Sequence, residues 1–268
     1  MKATHALLAK VKFETFHNPS QAKLQYESYK RILQECDLEI IEVDIGEKLI
    51  LEDMLVVCNG TAIVPSVESQ KRDHIKPLIN QIEKILVNDL GQTVIPLKDP
   101  GSSFRGTDFL FTGQEIFVGI TSRTNMKAAT EIANLLKDYP CTTLRIENDA
   151  ILKRHITMAG DNVICVSTHP AGQNILKMMQ KQAQYSYKTL TVDDQETANC
   201  MYVNGTLIHR GIEEVPADFH VSFCTICKKI GYPRRSACFY ALATQDINLT
   251  SNCLLFDKRP AVVKTNQL

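Results

Sequence analysis

Four short cassettes, each a turn built on a small residue and glycine and followed at once by an apolar strand, constrain what this chain can fold into. They read Val-Cys-Asn-Gly-Thr-Ala-Ile-Val at 57–64, Phe-Thr-Gly-Gln-Glu-Ile-Phe-Val at 111–118, Ala-Gly-Asp-Asn-Val-Ile-Cys-Val at 159–166 and Val-Asn-Gly-Thr-Leu-Ile-His at 203–209. Their glycines, Gly60, Gly113, Gly160 and Gly205, lie 53, 47 and 45 residues apart, a period that marks repeated supersecondary units. A fifth copy lacks its glycine: Asn252-Cys253-Leu254-Leu255-Phe256 falls where the next hairpin is due, and Thr4–Leu8 supplies an edge for it.

The intervals between cassettes have helical periodicity. Residues 19–36, 70–90, 124–138 and 171–183 each carry an apolar stripe, for example Leu78, Ile79, Ile82, Ile85 and Leu86 in the second. Thr124 and Asn125 are N-cap residues for the third. Each helix leads into a further strand, at 38–43, 93–97 and 142–146. The unit is therefore strand, strand, helix, strand. Five such units closing into a ring predict one α/β domain over residues 1–268, a five-bladed pseudo-symmetric α/β propeller with strands lining a central pocket and helices outside.

Thirty basic and thirty acidic residues cancel. That balance argues against nucleic-acid binding, which rests on excess positive charge. No apolar run approaches the roughly 20 residues of a membrane span. Nine cysteines without regular spacing fit free thiols in a reducing, cytoplasmic setting. His220, Cys224, Cys227 and Cys238 form a possible zinc set, but 221–227 reads better as a partly buried helix with packing cysteines, so no metal and no cofactor is expected. His155, His169 and His209 read as structural histidines.

The segment Gly106-Thr107-Asp108-Phe109-Leu110-Phe111-Thr112-Gly113-Gln114-Glu115-Ile116-Phe117-Val118-Gly119-Ile120-Thr121-Ser122-Arg123-Thr124-Asn125 resembles the centre of the dimethylarginine dimethylaminohydrolases, or dimethylargininases. The likeness extends to Ala3–Leu7, Leu51-Glu52-Asp53, Met158-Ala159-Gly160, Ala198–Tyr202 and His209-Arg210. It implies the pentein propeller of enzymes that act on guanidino groups, in agreement with the repeat.

In that family a cysteine thiolate attacks the guanidinium carbon, a histidine protonates the leaving amine and an aspartate orients the histidine. The resemblance places Ser251 at the nucleophile, Ile151 at the histidine and Arg105 at the aspartate, so no member of the triad is retained. Cys253 and His155 lie two and four residues away, about 7 Å and about 13 Å along extended strands, displacements too unequal to rebuild the contact. The substrate-recognition positions fare better. Glu52 and Asp53 match the family's acidic pair, Glu47 stands for a further aspartate, Arg123 matches the arginine that holds the α-carboxylate, Arg72, or Lys71 if the loop is shifted, matches a second pocket arginine, and Gln245 and Asp246 match substrate-contacting positions.

The expected function is a catalytically silent dimethylargininase-like protein that binds an arginine-derived ligand or a protein partner. An active amidinohydrolase with a non-standard site, converting methylated arginine to citrulline and methylamine, is the alternative, and an interaction scaffold the second. One further expectation follows from charge. Arg105 puts a guanidinium where the family has an acid, so it stands in for substrate opposite the pocket carboxylates and disfavours free arginine derivatives.

Overall fold

The computed structural model describes residues 2–46, 49–65, 76–147, 150–193, 195–211, 214 and 231–260. The chain starts with β1 (His5–Ala9), α1 (Pro19–Glu35) and β2 (Glu39–Val43). The second unit holds β3 (Val56–Cys58), β4 (Thr61–Val64), α2 (Lys76–Lys84) and β5 (Thr93–Pro96). The third holds β6 (Phe109–Phe111), β7 (Ile116–Ile120), α3 (Met126–Leu135) and β8 (Cys141–Arg145). The fourth holds α4 (Leu152–His155), β9 (Ile156–Gly160), β10 (Val163–Ser167), α5 (Pro170–Gln182) and β11 (Lys188–Val192). The fifth holds α6 (Gln195–Ala198), β12 (Met201–Val203), β13 (Thr206–Arg210) and β14 (Arg234–Ala237), and β15 (Cys253–Phe256) returns to the first unit.

These strands form five three-stranded sheets, each with an antiparallel pair, a hairpin in four of them, and a parallel third strand. The parallel pairing requires a crossover, which explains why a helix follows the second strand of a unit. The fifth sheet is built from both ends of the chain: Leu7 lies opposite Leu254 on one side and Ile41 on the other. Thr4–Leu8 is thus not an edge, as the sequence suggested, but supplies the central strand of its blade. The reason is that β1 has two partners, the hairpin-like β15 and the crossover strand β2.

Middle strands are covered on both faces, by a helix outside and by the propeller centre inside, so β1 and β10 are buried at every residue. That double burial produces their unbroken apolar runs. Third strands lie at the periphery and carry exposed polar residues, as in Lys188 and Thr189 of β11, which discourages edge-to-edge pairing. Two turns need their Asn-Gly pairs: Asn59 and Gly60 have φ of 42° and 84°, Asn204 and Gly205 48° and 80°, the type I′ form that suits the strand twist. The third cassette differs from expectation. Gly160 ends β9 opposite Val163, and the turn falls on Asp161-Asn162, with Asn162 at φ 57°.

Helix boundaries follow their caps. Asn125 Oδ1 accepts from Ala128 N at 3.0 Å, whereas the hydroxyl of Thr124, the other expected cap, goes to Asp108. The helices bury their stripes against the sheets, as Leu78, Ile79 and Ile82 of α2 do, each such side chain contributing about 1.5–3 kcal/mol. Among the described residues no helix is long and apolar enough to cross a membrane.

Candidate functional site

Every inner strand, β3, β6, β9, β12 and β15, is preceded by a short turn of chain, and these turns meet at one end of the propeller centre, the one before β12 supplying Asn199. The 3-10 turn Leu51–Met54 supplies Glu52 and Asp53; residues 105–108 supply Arg105 and Asp108; α4 supplies Lys153; and the turn before β15 supplies Thr250 and Ser251. Gly106 permits the closest approach. A Cβ there would stand 1.9 Å from Glu52 O and 2.6 Å from Leu55 O, so the segment can pack against the Glu52 backbone only as glycine.

Glu52 is 3% exposed. Its Oε1 lies 2.5 Å from Lys153 Nζ and its Oε2 accepts from Thr250 Oγ1 at 3.1 Å. Burial pushes the Glu52 carboxyl above its usual range, and the ammonium and hydroxyl beside it pull it back. Asn199 braces this group, with Nδ2 donating to Lys153 O at 3.1 Å and to Thr250 Oγ1 at 2.9 Å. Beside it, Arg105 Nη1 lies 3.3 Å from Asp53 Oδ2, and Asp53 Oδ1 accepts from Thr107 Oγ1 at 2.6 Å. The two pairs differ in setting: the Arg105 side chain is 40% exposed, that of Lys153 19%.

Arg105 does face a pocket carboxylate, but the buried acid is held by Lys153, which was not among the expected site residues. Its position two residues after Ile151, in the turn that carries the family's proton donor, is the signal that marks it. Asp108 was likewise missed as a site-building residue. It is buried, accepting from Thr121 Oγ1 at 2.9 Å, Thr124 Oγ1 at 2.8 Å and Leu152 N at 3.3 Å, and so ties the Arg105 turn to α4. Burial raises its pKa, against the pull of those donors.

At the positions that the resemblance assigns to the triad, no side-chain nucleophile contacts a side-chain base among the described residues. Ser251 is buried, and its Oγ accepts from Asn248 N at 2.8 Å within its own turn. The Cys253 thiol, buried in β15 beside Tyr29, is pushed up to about 12 by burial, so it is not a thiolate at neutral pH. Ile151 is half-buried and starts α4. Because α4 is helical, His155 is closer to Ile151 along the chain than an extended strand would put it, about 6 Å rather than about 13 Å. It nevertheless turns away, with Nδ1 3.1 Å from Ser167 Oγ and its ring stacked on His169 at 5.1 Å. His209 Nδ1 is 2.8 Å from Arg210 O.

The other expected recognition residues do not join the Glu52 cluster directly. The Arg123 side chain is half-buried and makes no ion pair among the described residues; its backbone N donates to Thr121 Oγ1 at 3.1 Å. Gln245 Nε2 donates to Thr15 O at 3.0 Å, Asp246 pairs with Arg154, and both line a surface cavity of about 550 Å³ with Lys10, Ile45 and Leu49. Glu47, Lys71 and Arg72 lie outside the described residues, as do His220, Cys224 and Cys227. Cys238 is described and half-buried. Glu52 and Lys153 instead border a central cavity of about 200 Å³ reached by all five inner strands.

No protein-family model matches the chain. It is 27% identical over 197 residues to the human protein named "Putative hydrolase DDAH2", covering 69% of this chain and 68% of that one. Among solved structures, a cysteine-to-serine variant of the dimethylarginine dimethylaminohydrolase from Pseudomonas aeruginosa, complexed with citrulline, superposes with a TM-score of 0.73 at 17% identity, covering 96% of this chain and 100% of that one. The N-terminal domain of ArgZ, a cyanobacterial arginine dihydrolase captured with substrate, gives 0.73 at 14% identity over 95% of this chain and 98% of that one. With sequence likeness to DDAH2 over two thirds of its length and fold likeness over nearly all of it, the chain is similar to DDAH2 and has the five-bladed pentein fold of the Pseudomonas aeruginosa dimethylarginine dimethylaminohydrolase.

Proposed function

We propose that this chain is a dimethylargininase-like protein without hydrolase activity, whose acidic guanidinium subsite is filled by its own cations. The observation that carries the reading is the buried contact of Lys153 Nζ with Glu52 Oε1 at 2.5 Å. An incoming arginine derivative must displace that ammonium, and Arg105 from Asp53 as well, before its guanidinium gains the same carboxylates. The solved neighbours, described with citrulline or substrate, take arginine-derived ligands. Here the balance favours a binding role, toward a protein or a molecule recognised by other chemistry, in the reducing cytoplasm that free thiols fit.

Catalysis lacks support on the same residues. Guanidinium hydrolysis needs a nucleophile activated by an adjacent base, and Ser251 is committed to Asn248 while Cys253 is a buried neutral thiol. Loss of a whole triad costs on the order of 10⁴–10⁶ in rate. The purified protein should therefore release no citrulline from asymmetric dimethylarginine above the uncatalysed background. Turnover that follows the protein through purification and disappears in Cys253→Ala would favour the hydrolase reading instead.

A further inference from the structure

We propose that the central cavity is a binding site for a compact, uncharged, mainly apolar molecule that enters from the side of the hairpin turns, opposite the face where the short turns converge. The inner strands all run from those turns toward the hairpins, and their burial changes along that direction. Leu55, Phe109, Thr157, Met201 and Leu254 are buried, whereas Val57, Phe111, Met158, Tyr202 and Leu255, one from each inner strand, are half-exposed, and all of them line the cavity. The half-exposed five make a ring at its mouth that is apolar apart from the Tyr202 hydroxyl, which donates to Asp161 Oδ2 at 3.3 Å.

The deep end is closed by the Lys153–Glu52 pair and Thr250. Those two charges are the only ones among the described lining residues, and they cancel. A charged guest thus meets no free counter-charge and loses its hydration, which disfavours both anions and cations. An acceptor is welcome, since the Lys153 ammonium has three N–H groups and only one is engaged by Glu52 among the described residues. A cavity of about 200 Å³ exceeds the roughly 150 Å³ that suffices for benzene, so the fitting class is a monocyclic aromatic or similar skeleton with one carbonyl-like acceptor. Above the floor the Thr157 and Tyr202 hydroxyls already donate to Ala198 O and Asp161, so the walls hold water weakly. This site does not depend on the absence of hydrolysis and uses a different entrance from the acidic pair's.

Three probes matched in size separate the possibilities: acetophenone, uncharged with one acceptor; benzoate, its anionic counterpart; and benzamidine, cationic. Titrated into the full chain labelled with ¹³C-methyl methionine, acetophenone should shift the methyl signals of Met158 and Met201, which line the cavity, and leave that of exposed Met126 in place. Its affinity should exceed that of either charged probe by at least about tenfold. Val57→Phe, and independently Leu255→Phe, should weaken it by a similar factor while retaining the parent melting temperature. Absence of saturable shifts at Met158 and Met201 in the folded wild type, or equal binding of benzoate or benzamidine, overturns the proposal whether or not the variants fold. So does undiminished acetophenone binding in a folded rim variant.

Discussion

Lys153 decides the character of the site because of where its charge lies. An exposed pair such as Arg105 with Asp53 is worth about 0–1 kcal/mol, for solvent screens it and competes for both partners. The Lys153–Glu52 pair is shielded, with side-chain exposures of 19% and 4%. Removing one member of such a pair leaves the other desolvated and uncompensated, whereas replacing both with apolar groups of similar size is close to neutral. Lys153→Met should therefore lower the unfolding free energy by about 3–5 kcal/mol, and the double variant Lys153→Met, Glu52→Leu should recover most of it. Urea unfolding of the four proteins measures this; a single-variant loss below about 1 kcal/mol would mean that Glu52 is hydrated and that its pairing is incidental.

At the scale of the element, α4 is a single helical turn that sends Lys153 toward Glu52 and His155 toward Ser167. The His155 imidazole is lowered from 6.5 to about 4, by burial first and then by the neighbouring His169 and Arg154. It is thus neutral in the folded protein at pH 7 and must lose its packing to gain a proton. Unfolded chain takes that proton near 6.5, so the stabilisation is full above this pH and is lost as pH falls from 6.5 toward about 4. The loss amounts to roughly 3 kcal/mol at most. His155→Phe should flatten the decline of the urea midpoint between pH 7 and pH 4.5; parallel declines in variant and parent would assign the effect to other groups. The longer elements were legible in the sequence because they carry period and caps: the stripe of α2, Asn125 before α3, the Asn-Gly turns. Four residues are too few to show a helical period, so Leu152–His155 read as extended chain and the opposite aims of Lys153 and His155 were hidden.

The whole molecule explains why the fold was more legible than the site. The repeated cassette states the pairing of each blade locally, and five similar blades leave a ring as the arrangement that buries every middle strand. Glu52, Lys153 and Thr250 come from three different blades and meet only because pseudo-symmetry returns each short turn to one axis. No local pattern announces that a lysine from one turn will reach the acid of another. Family register pointed to Glu52, Asp53 and Arg105 and took Lys153 only as a landmark, because a register along the chain does not state which side chains meet across blades. It also grouped Gln245 and Asp246 with that pocket; they line a cavity with Lys10 and Ile45, and Asp246 is tied to the site turns through Arg154 and through Ser251 Oγ, which donates to its carbonyl at 3.3 Å.

If the acidic subsite is filled from within, emptying it should create a receptor for the cation that the chain now supplies. The direct measurement is the melting temperature of the wild type and of Lys153→Ala across a millimolar titration of methylguanidine, with tetramethylammonium as the control for charge alone. The wild type should not respond, while Lys153→Ala should start lower and rise by about 3 °C at a ligand concentration near ten times its dissociation constant. A wild type stabilised by methylguanidine as strongly as the variant would contradict the account, because the carboxylates would then be open to substrate in the native protein.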